Sequence, residues 1–361
     1  MPISLLRPST IMVLIATTAC MIALSCSPRS SASRSREGTP LPAAALAIVR
    51  EAEAGTFPRL DSLLIETDGN LRVELYRNGN TAQTARPVYS VTKTVTALLL
   101  GIAIDEGLIP GPEALLADLL PEAGASLDDP LKRGIRLEHL LTMTAGLGWD
   151  EDSTDYSDPS NPVRRLLAAD DPIDVILARP MSDPPGARFV YNSGLSILIS
   201  IIIERAAGIP FDEWARERLF IPMGISGWAW ERLAGRANGG WGLSLKPADL
   251  VKLGRLVLNR GSWNGKILVP PEYVDAMTSV RSRPDGRLGY GYQIWLRPGK
   301  ASSVYDPGAL IIPVFVGWGG QYAYILREKK TIIVSTASDF GASAPGISPS
   351  IGALIDALTG S

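Results

Sequence analysis

One stretch of the sequence decides the expected fold and chemistry: Tyr89-Ser90-Val91-Thr92-Lys93-Thr94-Val95-Thr96. Residues three apart on a helix lie on one face, so Ser90 and Lys93 are predicted to point the same way. Serine is a common N-cap residue, which predicts that the helix begins at or near Ser90, where backbone N–H groups are free. A lysine whose pKa is lowered by burial can remove the hydroxyl proton of such a serine. The same spacing also arises by chance as an exposed cap and a solvated lysine, so this stretch alone leaves both interpretations open.

Two further segments favour the first interpretation. Phe189-Val190-Tyr191-Asn192-Ser193-Gly194 precedes an apolar helical pattern, and a tyrosine at such a loop-to-helix junction can lend its phenolic oxygen to a proton relay. Gly317-Trp318-Gly319-Gly320-Gln321 opens a predicted strand. Its paired glycines let a substrate lie against the strand edge, so that the Gln321 N–H can point at a developing oxyanion. Tyr191 and Gln321 are therefore candidate site residues.

Composition excludes several other kinds of site. The chain has 361 residues, 46% hydrophobic and 20% charged, with a net charge of -2 and no basic stripe, so it is predicted to be globular and not to bind nucleic acid. The single histidine, His139, lies in the stretch 137–143 and is predicted to be structural. Both cysteines, Cys20 and Cys26, lie near the N-terminus, so no His/Cys metal cluster can form, and neither metal nor cofactor is predicted. With no Gly-x-Ser-x-Gly elbow either, an active serine here would need lysine or tyrosine as its base.

The N-terminus is typical of an export segment. Arg7 is followed by an uncharged stretch, residues 8–28, and Ala23-Leu24-Ser25-Cys26 resembles a bacterial lipoprotein cleavage box. The hypothesis is a leader at 1–26, lipidation of Cys26 and a flexible Ser/Arg/Pro-rich tether at 27–40. The protein is then exported, as a periplasmic or membrane-anchored lipoprotein that meets the membrane only through its leader or lipid. A plain signal peptide or an uncleaved anchor helix are the alternatives.

Strand patterns occur at both ends of the chain and helical patterns in the middle. A hairpin is predicted over 62–76, around the turn signal Asp68-Gly69-Asn70. Further strands are predicted at 290–296, 310–316, 321–326 and 331–336, the last two paired with each other. Helices are predicted at 41–54, 92–106, 137–143, 163–167, 173–177, 195–207, 211–219, 247–258, 271–278 and 351–358. The expected fold is an α/β (α+β) domain over 41–361, with one antiparallel sheet built from both termini, flanking terminal helices and a helical insertion at about 107–240.

Taken in order, these motifs resemble the serine β-lactamase superfamily in its class C branch. That branch includes penicillin-binding DD-peptidases, esterases and 6-aminohexanoate-dimer hydrolases, and the resemblance runs from about residue 41 to the end. Besides the segments quoted above, it is carried by His139-Leu140-Leu141-Thr142-Met143-Thr144-Ala145-Gly146-Leu147, Gly242-Leu243-Ser244-Leu245 and Leu288-Gly289-Tyr290-Gly291-Tyr292. The resemblance implies a β-lactamase/DD-peptidase-like fold.

The resemblance also implies roles for the motif residues. Ser90 would be acylated, Lys93 would assist its deprotonation, and Tyr191 would act as general acid and base. The backbone N–H groups of Ser90 and Gln321 would form the oxyanion hole. The implied mechanism is acylation followed by hydrolysis of a covalent acyl-enzyme.

Two departures from the family pattern bear on the substrate. Ser193 stands where β-lactamases have Asn, and Trp318-Gly319-Gly320 stands where they have Lys-Thr-Gly or His-Thr-Gly. Trp318 offers an apolar wall instead of a charge for a substrate carboxylate. The acidic loop that begins at Trp149 resembles the 6-aminohexanoate-dimer hydrolase group, where it lies near the pocket; an acidic surface loop is the alternative. Ser193, Trp318, Gly319, Gly320 and Trp149 are therefore predicted substrate contacts.

Three functions remain as hypotheses. The first is a serine hydrolase acting on small-molecule carboxylic esters or amides, favoured by the uncharged third motif. The second is a β-lactamase or DD-peptidase. The third is a penicillin-binding or ligand-sensing protein without turnover.

Overall fold

A sheet formed by the two ends of the chain organises the structure. The computed structural model describes residues 40–341 and 348–359. The predicted leader, the predicted lipidation at Cys26 and all but the last residue of the predicted tether lie outside the described residues. The strands are β1 (Leu60–Thr67), β2 (Asn70–Tyr76), β3 (Arg86–Pro87), β4 (Ala229–Trp230), β5 (Arg232–Leu233), β6 (Arg236–Ala237), β7 (Leu243–Leu245), β8 (Ser262–Trp263), β9 (Lys266–Ile267), β10 (Gly289–Tyr290), β11 (Trp295–Pro298), β12 (Ile311–Gly317), β13 (Gln321–Leu326) and β14 (Thr331–Ala337).

Helices from both ends of the sequence flank this sheet, and helices also make up most of the middle of the sequence. They are α1 (Ala43–Ala54), α2 (Val91–Asp105), α3 (Leu116–Leu119), α4 (Leu137–Leu141), α5 (Pro162–Leu167), α6 (Pro172–Leu177), α7 (Ser193–Ala207), α8 (Phe211–Ala215), α9 (Ile221–Met223), α10 (Pro247–Leu258), α11 (Pro271–Met277) and α12 (Ser348–Thr359). Short 3₁₀ and π turns lie at Pro121–Leu127, Lys132–Gly134, Arg216–Phe220 and Arg327–Lys329.

The main sheet is antiparallel and has the order β10-β11-β12-β13-β14-β1-β2. Strand β14 pairs with β1, from Thr67↔Thr331 to Leu60↔Ala337, so the two ends of the chain meet at neighbouring strands. Asp68 and Gly69 both adopt positive φ, 49° and 74°, which suits the two-residue turn between β1 and β2. The predicted sheet of both termini and its first hairpin are confirmed.

Strand β1 is buried on both faces because helices cover both sides of the sheet. Leu63 and Ile65 pack in a cluster with Ala45 and Ile351 of the terminal helices. Leu64 faces the opposite side and joins the larger core that includes helices α2 and α7. Alternate side chains of β1 therefore pack on opposite faces of the sheet. One face is covered by the terminal helices and the other by helices from the middle of the chain.

One strand prediction is wrong. Residues 290–296 do not form one strand but turn back on themselves, so that β10 pairs with β11 through Tyr290↔Trp295. Gln293 adopts a φ of 54°, and a Cβ on Gly291 would lie 1.9 Å from the Met277 carbonyl oxygen. The chain bends where Gly291 passes close to Met277, and a pattern of alternating hydrophobicity does not predict such a bend.

Helix α2 joins the sheet to the helical region. Every residue from Val91 to Ala103 is buried, and the helix contacts both β12 and α7. Among the described residues no single helix is long and apolar enough to span a membrane; α7 and Phe211–Met223 pass that test only together, as a pair bent by 79°.

Gly101 tests how closely α2 is packed. A Cβ at this position would lie 2.6 Å from the ring of Tyr273, whose hydroxyl donates to the Ala97 carbonyl at 2.9 Å. Alanine normally stabilises a helix by about 1 kcal/mol relative to glycine. We nevertheless expect Gly101→Ala to lower the free energy of unfolding by about 1–3 kcal/mol through overpacking. The measurement is urea unfolding.

The matched control is Gly352→Ala in α12, where a Cβ would meet no atom within 4 Å. This variant should be neutral or slightly more stable. Equal effects of the two substitutions would contradict the packing argument.

Candidate active site

Ser90 lies at the turn that begins α2 and does not use its side chain to cap the helix. It has φ −64° and ψ −7° and makes no side-chain capping bond, so its hydroxyl is available to other groups. Tyr89 before it has a φ of 48°, an uncommon conformation for a bulky residue. The Tyr89 ring packs edge-on against Trp318 and Phe340, with centroids 5.4 and 5.7 Å away. These ring contacts hold the strained turn that presents Ser90.

Lys93 lies one turn further along α2 and is almost fully buried, with 1% of its surface exposed. Its Nζ donates to the Ser90 Oγ at 3.0 Å and to the Gly240 carbonyl at 2.9 Å. Burial lowers the pKa of Lys93 to about 8, while the carboxylates of Glu151 and then Asp152 act in the opposite direction. The amine is therefore much closer to its free-base form at neutral pH than a solvated lysine is.

A polar turn next to α2 positions the carbonyl that accepts from Lys93. The Asn238 Oδ1 accepts from the N–H groups of Gly240 and Trp241, at 2.9 and 3.2 Å. Thr96 donates to the Gly239 carbonyl at 2.8 Å, which ties the same turn to the helix. Sequence reasoning missed Gly240, although Asn238-Gly239-Gly240 is a turn signal just before the family segment at 242–245.

Tyr191 completes the cluster. Its phenol lies close enough to the Ser90 hydroxyl to interact with it, and the Lys93 Nζ lies 5.1 Å from its ring centroid. The ring stacks on Trp295 at 5.9 Å. Burial raises the pKa of Tyr191 well above its usual value, so the phenol keeps its proton. The structure thus brings Ser90, Lys93 and Tyr191 into one cluster, in which Lys93 is hydrogen-bonded to Ser90.

A cleft of about 160 Å³ opens above Ser90. Most of its walls are apolar or aromatic, and they are formed by Tyr156, Val163, Leu167, Trp241 and Trp318. Such walls suit an uncharged, apolar group next to the reacting carbonyl.

Ser193 also lines the cleft, but its polar groups are already bonded. Its Oγ and its N–H donate to the two carboxylate oxygens of Glu151, at 2.6 and 2.7 Å. The hydroxyl predicted to meet the substrate is therefore directed at Glu151. Sequence reasoning missed Glu151, because residues 42 apart have no local pattern that links them.

The acidic loop is organised around a buried side chain. Trp149 is only 6% exposed, is absent from the described lining of the cleft, and donates its Nε1 to Glu151 at 2.7 Å. Glu151 itself is 1% exposed, whereas Asp155 and Asp158 are at the surface or partly exposed. The loop reaches the cleft through Tyr156, whereas Trp149 is directed at Glu151, and the direct substrate contact of Trp149 stays a prediction.

The third motif forms a tight hairpin between β12 and β13. Gly319 and Gly320 have φ of 80° and 92°, and a Cβ on Gly319 would lie 2.3 Å from the Phe340 ring. The turn and the Phe340 contact therefore require these glycines. This reason differs from the sequence-based prediction that the same glycines let a substrate approach the strand edge. Trp318 at the tip is 49% exposed and lines the cleft.

Gln321 lies behind this tip. It is buried, pairs with Gly317 across the hairpin, and donates its side-chain amide to the Trp318 and Ala337 carbonyls at 3.2 and 2.6 Å. It is absent from the described lining of the cleft, and its backbone N–H as an oxyanion donor stays a prediction. Among residues 40–341 and 348–359, the backbone N–H groups of Ser90 and Trp318 make no hydrogen bond. Trp318 is thus the better candidate for the second donor.

His139 has a structural contact, as the sequence predicts. Its Nδ1 accepts a hydrogen bond from the Arg136 N–H at 3.0 Å, at the start of α4. Burial and the nearby Arg136 lower the pKa of His139, which keeps the acceptor form.

Comparison with known proteins agrees with this fold. A family model described as Beta-lactamase matches residues 61–351. The 6-aminohexanoate-dimer hydrolase of Paenarthrobacter ureafaciens is 26% identical over 314 residues, covering 77% of this chain and 72% of that one. The lovastatin esterase of Penicillium rubens is 26% identical over 295 residues, covering 64% and 71%. A penicillin-binding protein homologue from Caulobacter crescentus has a similar fold, with a TM-score of 0.67 at 19% identity, covering 90% of this chain and 99% of that structure. The predicted β-lactamase/DD-peptidase-like fold is confirmed.

The burial of Lys93 gives a prediction for stability. Folding lowers its pKa from 10.5 to about 8, so between these values the unfolded chain holds one more proton than the folded chain. The free energy of unfolding should therefore rise with pH across this window, by up to about 3 kcal/mol, because one pKa unit corresponds to about 1.4 kcal/mol. Urea unfolding of wild type and Lys93→Met at pH 7, 8.5 and 10 measures this contribution, since every other titration is common to both proteins. A difference that stays constant with pH would contradict it.

Proposed function

This chain belongs to the β-lactamase family, and from that premise we propose that it is a serine hydrolase that cleaves carboxylic esters or amides through a covalent acyl-enzyme. The observation that carries the proposal is the cluster of Ser90, Lys93 and Tyr191 below an apolar cleft, with Lys93 hydrogen-bonded to Ser90. A serine that shares its hydroxyl with a desolvated lysine and a neutral phenol has a base and a proton relay within reach.

In the proposed acylation, the free-base amine of Lys93 accepts the hydroxyl proton as the Ser90 Oγ attacks the substrate carbonyl carbon. A bond forms from Oγ to carbon, and the carbonyl electron pair moves to oxygen. The Gly240 carbonyl holds the Nζ at 2.9 Å and accepts a hydrogen bond from the resulting ammonium. The protonated lysine is thus formed where an acceptor already waits.

The oxyanion would be bound by two backbone N–H groups, those of Ser90 and Trp318. Both are without a hydrogen bond in the described part of the chain, and both residues line the cleft. Donors that are already oriented need no reorganisation as the charge develops, which is the usual source of oxyanion stabilisation.

Collapse of the tetrahedral intermediate breaks the bond to the leaving group. Tyr191 can donate its phenolic proton to the departing oxygen or nitrogen and regain one from the neighbouring ammonium of Lys93, whose Nζ lies 5.1 Å from the centroid of the Tyr191 ring. A water then attacks the acyl-enzyme with the same groups acting in reverse, and the carboxylic acid leaves.

The lining of the cleft supports uncharged substrates. The walls supplied by Tyr156, Val163, Leu167, Trp241 and Trp318 carry no cation that could pair with a substrate carboxylate. The names of two relatives, an esterase and a hydrolase of the 6-aminohexanoate dimer, support ester and amide substrates. β-Lactam and peptide substrates that carry a carboxylate fit this cleft less well.

Ester turnover tests the proposed chemistry. We expect purified protein to hydrolyse p-nitrophenyl butyrate, and Ser90→Ala to reduce kcat/KM to the background rate. Tyr191→Phe should lower kcat by about 10²–10⁴-fold, the usual contribution of a general acid or base. Equal rates for wild type and Ser90→Ala would refute the proposal. Efficient nitrocefin hydrolysis that depends on Ser90 would assign the protein to the β-lactamases instead, and a stable adduct on Ser90 without turnover would favour a binding protein.

Charge selectivity tests the role of the cleft. We expect kcat/KM for p-nitrophenyl butyrate to exceed that for mono-p-nitrophenyl succinate by at least about tenfold, because a carboxylate desolvated without a partner costs more than about 1.4 kcal/mol. Trp318→Lys should narrow this ratio by supplying a cation, and Trp318→Leu is its uncharged control. A preference for the succinate ester in wild type would contradict the proposed selectivity.

A further inference from the structure

Glu151 is a buried carboxylate that is held only by neutral donors. The Trp149 Nε1 and the Ser193 N–H donate to its Oε2, both at 2.7 Å. The Ser193 hydroxyl donates to its Oε1 at 2.6 Å and the Tyr156 hydroxyl to the same oxygen at 3.3 Å. Within the described residues no Lys, Arg or His nitrogen lies within 4.0 Å of this carboxylate. A buried charge is costly unless it is both hydrogen-bonded and paired with an opposite charge, and this carboxylate has the hydrogen bonds without an ion pair.

We propose that Glu151 is a positioning residue of the catalytic group: its carboxylate fastens the loop 149–161 to the start of α7 and places a fixed negative charge beside Lys93. This inference rests on the proposed serine hydrolase function. It adds a residue that touches neither substrate nor Ser90 and acts through Ser193, Tyr156 and Lys93.

The first part of the proposal is mechanical. Ser193 is the first residue of α7 and lies two residues after Tyr191, so a carboxylate that holds both polar groups of Ser193 fixes the end of the segment that carries the phenol. The Glu151 carbonyl in turn accepts from the Asn161 Nδ2 at 3.1 Å. The Asn161 Oδ1 caps α5 through the Val163 N–H at 3.0 Å. One buried residue therefore joins the support of Tyr191 to two walls of the cleft, Tyr156 and Val163.

The second part is electrostatic. Lys93 faces the Ser90 hydroxyl on its own helix, the Gly240 carbonyl and the Tyr191 phenol. Two carboxylates of the loop, those of Glu151 and Asp152, act on its charge. Glu151 is the stronger of the two carboxylates in raising the pKa of Lys93 against the effect of burial.

Glu151 has ionisable neighbours of its own. The phenols of Tyr156, Tyr191 and Tyr290 lie close enough for Glu151 to raise their pKa, and burial raises the pKa of all three as well, so they stay neutral. Lys93 is therefore the group near Glu151 whose charge changes during the reaction. Transfer of the Ser90 proton creates an ammonium, and the carboxylate stabilises that ammonium as it forms.

Removing the charge has a consequence that a purely structural role does not share. In Glu151→Gln the ammonium form of Lys93 loses its stabilisation, so the amine becomes a free base at lower pH. Acylation should then begin at lower pH, while its plateau rate at high pH should fall, because the ammonium formed in the transition state is less stabilised. A merely loosened site would lower the plateau and leave the pH midpoint in place.

The experiment measures the rate of covalent labelling of Ser90 by a fluorophosphonate probe between pH 5 and 10, with Ser90→Ala as the unlabelled control. For Glu151→Gln we expect the midpoint of the acid limb to fall by about one pH unit, an effect of the size expected when one neighbouring charge is removed from a weakly screened site. The plateau rate should fall at least about threefold. Asp152→Asn removes the same formal charge from an exposed neighbour and should shift the midpoint less.

Ser193→Ala separates the two parts of the proposal. This variant keeps the carboxylate but removes one donor to it, so the plateau rate should fall while the midpoint stays near that of wild type. If circular dichroism shows that Glu151→Gln does not fold, Ser193→Ala still tests the mechanical part. A folded Ser193→Ala that labels at the wild-type rate would overturn that part.

Two outcomes must be distinguished. Wild type that is not labelled at Ser90 would refute the proposed function itself. Labelled wild type together with a folded Glu151→Gln whose midpoint does not move, or moves no further than that of Asp152→Asn, would leave the proposed function intact and overturn the role of Glu151.

Discussion

The burial of one amine, that of Lys93, constrains the structure around the site. Lys93 is only 1% exposed, so water cannot solvate its amine, and the nitrogen needs hydrogen-bond acceptors within reach. The helix that carries Lys93 supplies one, the Ser90 hydroxyl, and the turn at Gly240 supplies the other. That turn must lie along α2, which explains why Asn238 and Thr96 both bond its backbone. Shielding α2 from water also needs the sheet on one side and α7 on the other.

The sheet contributes a second fixed element, the tip of the hairpin between β12 and β13. Strand β12 runs close to the turn before Ser90, since a Cβ on Gly317 would lie 2.2 Å from the Val88 carbonyl oxygen. Beyond the tip, the rings of Tyr89, Trp318 and Phe340 form one cluster, with 4.7 Å between the centroids of the last two. The strained backbone of Tyr89 is thereby held by aromatic packing. The sheet thus fixes where Ser90 is and what covers it.

How much of this could be predicted depends on how local each signal is. The shared face of Ser90 and Lys93 follows from their spacing within one helical turn. The strands follow from alternating hydrophobic and polar residues. Both features can therefore be predicted from the sequence. Glu151 acts on Ser193 across 42 residues, and Gly240 acts through a carbonyl that every residue has, so neither leaves a side-chain pattern. The unbonded N–H of Trp318 could not be predicted, because it depends on the turn that Gly319 and Gly320 form with positive φ. The bend between β10 and β11 was missed for a different reason: Gly291 passes close to the Met277 carbonyl, a tertiary contact that hydrophobic alternation does not show.

The charges of the site join catalysis to selectivity under the proposed function. Before reaction, the free base of Lys93 is neutral and Glu151 is the buried charge beside it. Proton transfer from Ser90 then creates an ammonium facing that carboxylate, while the oxyanion faces backbone N–H groups. Charge therefore separates onto groups that are oriented in advance, in surroundings that screen them weakly. A substrate that brings its own carboxylate would compete with Glu151 for the same ammonium and would find an aromatic ring, Trp318, where a cation would be needed. The arrangement that assists proton transfer is thus also the one that disfavours anionic substrates.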